Sequence, residues 1–127
     1  MVLRSMSCLL VLLLTGVGCA GSDHVEPLGH GCMYRNEGST LKDVLCDGGE
    51  IPATVTALAY DDDFVIARQT PGFQDILYSQ RYVYDEPNGE YYWIIDHRAA
   101  TIDGPLSAPE YAEARAQLGI PDDLTLD

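Results

Sequence analysis

The spacing of apolar residues changes once along this chain, and that change limits what it can fold into. Between residues 54 and 96 apolar side chains alternate or form short runs: "TVTALAY" (54–60), "FVIAR" (64–68), "RYVYD" (81–85) and "YYWIID" (91–96). These read as strands, because alternate residues of a strand share a face. In "SAPEYAEARAQLG" (107–119), Tyr111, Ala114 and Leu118 instead follow at spacings of three and four, which makes one stripe of a helix. Ser107 and Glu110 have the spacing of a capping box, and Pro109 lies in the first turn, where its missing N–H does no harm. Gly119 and Pro121 end the helix. Strands followed by one helix predict an α+β fold. The expected form is a small antiparallel β-meander of about five strands, the fifth near Thr101–Asp103, with the helix packed on the sheet.

The turns follow from local chemistry. Asp61–Asp63 and "HRAA" (97–100) read as tight connections. "EPNG" (86–89) contains Asn88-Gly89, a strong hairpin signal that predicts a type I′ turn with positive φ at both residues. Such a turn pairs 81–85 with 91–96. It puts Tyr82 and Tyr84 on one face beside Tyr91 and Trp93, as a possible binding surface or, under the helix, as core. Trp93, the single tryptophan, is expected in the core.

The N-terminus says where the protein lives. Arg4 precedes "CLLVLLL" (8–14), and small residues lead up to Cys19. This is the layout of a signal peptide over 1–18, with an apolar run too short to span a bilayer. The segment "LLLTGVGC" resembles the lipobox of bacterial lipoproteins, although Gly16 stands where that pattern prefers Leu, Val or Ile. The resemblance implies lipidation of Cys19, attachment to the membrane through more than one acyl chain, and, with Ala20 next in line, an outer-membrane location in the cell envelope. Residues 19–31 then read as the lipidated cysteine and a flexible tether, leaving 32–127 as a single globular domain.

Cys8 leaves with the signal and Cys19 carries lipid, so Cys32 and Cys46 remain as a pair. In an oxidising compartment the expected outcome is a disulfide, worth about 3 kcal/mol for a loop of this length. A metal site using His24 and His30 is the alternative, but the spacing matches no zinc pattern, and no metal or cofactor is expected.

"YYWIID" and "GPLSAPEYAEARAQLGIPDDLTL" are also similar to a family of small bacterial lipoproteins whose domain is uncharacterised. The similar positions are Ile95-Asp96, Gly104 to Ser107, Glu110-Tyr111 and Leu118 to Pro121, within 54–126. The resemblance implies a fold and an envelope lifestyle, not an activity, and it does not reach the Cys32–Cys46 segment.

Charge and motifs narrow the function further. A formal charge of −13, with 20 acidic and 7 basic residues and no basic stripe, excludes nucleic acid as an expected partner. Asp96-His97 could orient a general base, but no nucleophile accompanies it, and "DDDF" (61–64) lacks the alternating ligands of a calcium loop. The expectation is therefore a non-enzymatic, membrane-anchored interaction module with an envelope protein partner, inhibitor-like in one form. Binding of a small ligand or divalent cation is the alternative. Replacing Cys19 with Ala should release the protein from the membrane fraction; a variant that still sediments with membranes contradicts the anchor.

Overall fold

A computed structural model describes residues 24–127. The expected signal segment 1–18 and the lipidation site Cys19 lie outside the described residues. Among the described residues, eight strands form two four-stranded antiparallel sheets, and a helix follows the last strand. The first sheet is the meander β1 (His24–Gly29), β2 (Cys32–Asn36), β3 (Lys42–Cys46) and β4 (Gly49–Ile51). The second is the meander β5 (Val55–Tyr60), β6 (Phe64–Gln69), β7 (Tyr91–Asp96) and β8 (Thr101–Leu106), followed by α1 (Ala108–Leu118).

The layers follow from which side chains are apolar on which face. In β6, Val65 and Ala67 turn toward the first sheet, where they join Leu28, Val44, Ile51, Val55, Trp93 and Ile95. Phe64 and Ile66 turn the other way and, with Ile94, meet Tyr111, Ala114 and Leu118 of α1. The continuous apolar runs of β6 and β7 thus belong to strands covered on both faces. Burial of each such side chain contributes about 1.5–3 kcal/mol.

The helix matches its sequence signals. Ser107 Oγ accepts from the Glu110 amide, the Glu110 carboxylate accepts from the Ser107 amide, and Gly119 is left-handed at φ 69°. The Glu110 carboxyl lies below its ordinary value because of those Ser107 hydrogen bonds. Asp61 closes the β5–β6 turn by accepting the amides of Asp63 at 2.9 Å and Phe64 at 2.8 Å. That carboxylate serves the turn.

Three expectations fail. The sheet is not one meander of five strands but two of four, because the sequence before residue 54 supplies a complete sheet of its own. Residues 24–29, expected within the flexible tether, form β1: His24 to Pro27 pair with Asn36 to Met33 in order. Residues 81–85 form no strand, and the partners of β7 are β6 and β8. Glu86–Gly89 does turn, with the Gly89 amide donating to the Glu86 carbonyl at 2.9 Å, but neither Asn88 nor Gly89 has left-handed φ. The reason is Pro87. Its ring fixes a negative φ at the first central position, which suits an ordinary turn over 86–89 and displaces Asn-Gly from the centre.

Two local constraints hold the sheets in register. Cys32 and Cys46 are directly opposite in β2 and β3, and a disulfide joins them. Gly104 of β8 lies against Trp93, so that a Cβ there would come within 2.4 Å of the indole. Gly104→Ala should therefore lower stability by about 1–3 kcal/mol through overpacking, whereas Ser107→Ala should cost about 1 kcal/mol through an uncapped amide. Denaturant melts check both. Wild-type stability for Gly104→Ala would contradict the close approach of β8 to Trp93.

Candidate functional site

The connection from β6 to β7, residues 70–90, carries no regular strand or helix. Connections this long in compact domains are uncommon and are generally functional when ordered. Here the order comes from two acidic residues of the first sheet. Asp43 (β3) and Glu50 (β4) are buried, at 0% and 4% exposure. Val44 and Ile51 face the core, so Asp43 and Glu50 belong to the opposite, outer face of that sheet. A buried carboxylate is tolerated only with partners. Arg35, directly opposite Asp43 on β2, supplies two hydrogen bonds at 3.0 and 2.6 Å.

The other partners come from the crossing segment. Tyr78 Oη donates to Asp43 and accepts the Ala53 amide at 3.0 Å, and Asp75 joins Arg35 at 2.8 Å. Glu50 accepts the Ser79 amide at 2.7 Å, the Ser79 hydroxyl at 2.8 Å and the Tyr82 hydroxyl. Residues 75–82 are thereby tied to the outer face and the β4 edge of the first sheet. The same contacts move ionisation. Burial, then the hydrogen bond to Asp43, raises the Tyr78 hydroxyl. Burial, then the hydrogen bond to Glu50, pushes Tyr82 up to about 12. The Leu77 amide and then Arg35 hold Asp75 below the ordinary carboxylate range.

The four aromatic residues expected as a possible binding surface are brought near one another, but not as the face of a hairpin. Trp93 is buried in the core between the sheets. Tyr82 meets it edge-on, with ring centroids 5.5 Å apart. Tyr84 and Tyr91 pack at 5.1 Å. Gln69, fully buried, accepts from the Trp93 indole at 2.8 Å and donates to the Tyr84 hydroxyl at 2.7 Å. Trp93 thus lies in the core, as expected, and not on a surface, while the half-buried Tyr82, Tyr84 and Tyr91 join β7 to the crossing segment.

What the segment leaves outside is apolar. Ile76 is 96% exposed, Val83 89% and Leu77 70%, with Phe73 also exposed. Leu77 borders a groove of about 410 Å³ with Leu45, Glu50 and Ser79. By register, Leu45 lies opposite Met33, and Met33 opposite Pro27, so Val25, Pro27, Met33 and Leu45 share that outer face. Val25 and Met33 are exposed. One side of the first sheet therefore presents apolar side chains around a groove, and Ile76 and Leu77 stand on the segment crossing it. The first meander went unread in the sequence, so this face was not anticipated.

A second feature lies at one end of both sheets. His30, in the β1–β2 turn, stacks on His97 with ring centroids 4.3 Å apart. His30 Nε2 lies 3.2 Å from the Asp62 carbonyl, and the His97 amide donates to Asp63. Nε2 of His97 is buried without a partner, beside a cleft of about 300 Å³ that the Cys32–Cys46 disulfide also lines. Burial, then His30, keeps His97 below its ordinary value. Asp96 does not orient His97. It accepts the Arg98 amide at 2.9 Å and the Arg98 guanidinium at 3.2 Å, as a strand-end turn residue does. Among the described residues, no group of three or more His, Cys, Asp or Glu side chains is arranged to hold a metal ion.

Residues 39–127, from the β2–β3 connection to the last residue, match the family described as "Protein of unknown function (DUF3997)". The chain belongs to this family. Its domain takes in β3 with Cys46 and the whole crossing segment, and begins after Cys32. Asp43, Glu50, Tyr78, Ser79 and Tyr82 thus all fall inside the DUF3997 domain. Comparison with curated proteins and with solved structures finds no match.

The tyrosine anchors carry a pH signature. A hydroxyl whose pKa is higher folded than unfolded favours the folded state below the unfolded value of about 10, and that advantage is lost as pH rises through the folded value. The melting temperature should fall as pH rises from 10 through about 12, where Tyr82 ionises. Tyr82→Phe should shrink that fall. An equal fall in wild type and variant would contradict the Tyr82–Glu50 bond.

Proposed function

We propose that this protein is a lipid-anchored, non-enzymatic interaction module of the bacterial cell envelope, held at the outer membrane through Cys19. It docks an envelope protein on the outer face of its first sheet. The observation that carries this reading is where the exposed large apolar side chains lie. Among the described residues they are Val25, Met33, Phe73, Ile76, Leu77 and Val83, on that face or on the segment crossing it, and Tyr60 elsewhere. Concentration of exposed apolar surface on one side marks an interaction site. The buried acids beneath explain how a segment without regular structure presents such side chains in fixed positions.

The anchor reading rests on the signal-like run and the lipobox-like approach to Cys19. His24, the first residue of β1, follows Cys19 by five positions, so an anchored domain stays within about 17 Å of the lipid. A partner in the same membrane or in the adjoining space then meets it at high effective concentration. An inhibitor of an envelope enzyme is one form such a module takes. A second reading, binding of a small ligand or divalent cation, rests on the cleft beside the disulfide and the unpaired His97 Nε2.

A photoreactive side chain placed at Ile76 tests the docking reading in the native envelope. The expected result is a discrete protein adduct that decreases several-fold when Met33→Glu is added elsewhere on the face. No protein adduct, or one indifferent to Met33→Glu, would overturn it.

A further inference from the structure

Charge at the apolar face has a sign. Five carboxylates stand on or beside this face: Asp47 and Glu50 line the Leu45–Leu77 groove, and Glu37, Asp43 and Asp75 surround Arg35. Against them are Arg35 and, further along the crossing segment, Arg81. Arg35 is shared among three of those acids, at 2.6 Å to Asp43, 2.8 Å to Asp75 and 3.6 Å to Glu37. Glu50 is matched by hydroxyls and an amide, with no cation among the hydrogen bonds it makes. Asp47 is exposed at the groove wall. The one lysine of the chain, Lys42, alternates with Asp43 along β3 and so points to the sheet's other face. Asp43 and Glu50 are already buried and partnered, so an apolar partner surface without cations would desolvate the exposed Glu37 and Asp47, at a cost.

We propose that the occupant of this face is a basic amphipathic segment of another protein. Its apolar side chains enter the Leu45–Leu77 groove and cover Met33, and its Lys or Arg side chains meet Asp47 and Glu37 at the rim. The inference rests on the docking reading above and adds the chemistry of the partner. Two features of the face suit such a guest. The groove, about 410 Å³, accepts large apolar anchors. Glu37, just after β2, and Asp47, just after β3, stand beyond opposite ends of that strand pair and are exposed, so flanking cations steer and orient the segment without being buried. Specificity follows from repulsion as well: an acidic segment, or a second copy of this chain with its own charge of −13, meets like charge.

The test uses the chain from residue 19 onward with Cys19→Ser, and three synthetic helical peptides of equal length. One is built of Leu and Lys, one of Leu and Glu, and one of Ser and Lys with the charge of the first. The Leu/Lys peptide should bind, with affinity falling tenfold or more between low salt and about 0.5 M salt. The Leu/Glu peptide should not bind, and the Ser/Lys peptide should bind at least about tenfold more weakly, for lack of apolar anchors. Leu77→Glu and Met33→Glu, both at exposed positions, should each weaken Leu/Lys binding about tenfold or more. Asp47→Asn should weaken it several-fold, while Asp122→Asn, beyond α1, should leave it unchanged. Comparable binding of the Leu/Glu peptide, no loss in Leu77→Glu and Met33→Glu, or equal effects of Asp47→Asn and Asp122→Asn would each overturn the proposal. A protein adduct at position 76 combined with any of those results leaves docking intact and removes the basic partner. Absence of the adduct removes both.

Discussion

Two buried carboxylates, Asp43 and Glu50, organise this molecule. Each lies on the outer face of a sheet that has its core on the other side, where an acid would ordinarily be solvated. The crossing segment covers them and supplies Tyr78, Ser79 and Tyr82 as donors, while Arg35 completes the set around Asp43. Removing one partner of such a group costs more than the bond it made, because the desolvated acid is left behind. Segment and sheet are therefore mutually dependent: without the segment the acids lose their donors, and without the acids residues 75–82 lose their attachment. The exposed positions of Ile76 and Leu77 follow from that attachment, since Asp75, Tyr78 and Ser79 on either side are the tied residues.

The second sheet gives the arrangement its back wall. Trp93 links the layers: its indole N–H reaches Gln69, its ring meets Tyr82, and its face lies on Gly104. Gln69 in turn donates to the Ala53 carbonyl and to Tyr84. A chain of polar contacts thus runs from β6 and β7 into the crossing segment at Tyr84 and Tyr82, complementing the acid-based contacts at Tyr78 and Ser79. Polar networks of this kind fix one arrangement where apolar packing alone would permit several.

The second meander and α1 were legible in the sequence because each rests on local signals. Alternation gave β5, Asp61 closed its turn, and Ser107, Glu110 and Gly119 bounded the helix. The first meander was not legible. "CMYRN" and "KDVLC" mix polar and apolar residues because Arg35 and Asp43 sit on a face later covered by a distant segment, so they give no clean alternation. The "RYVYD" run misled for the opposite reason. Its tyrosines are spaced as in a strand, but Tyr82 and Tyr84 are held by Glu50 and Gln69, side chains far away in sequence. Pro87 outweighed Asn-Gly through its own ring. The Cys32–Cys46 pair was legible from the cysteine count, once Cys8 and Cys19 were assigned to the expected signal and anchor. The docking face was not, since it needs the register of β1 to β4 and the path of residues 70–90 together.

Amide hydrogen exchange across residues 70–90 tests the dependence of segment on buried acids most directly. The Ser79 amide donates to Glu50 and the Tyr78 amide to Asp75, so both should exchange slowly, as the sheet amides do, while Ile76 and Val83 exchange fast. Glu50→Gln should speed exchange at Ser79 well beyond any change in the β6 and β7 amides. Fast, uniform exchange through 70–90 in the unaltered protein would contradict a pinned segment and, with it, the docking face built upon it.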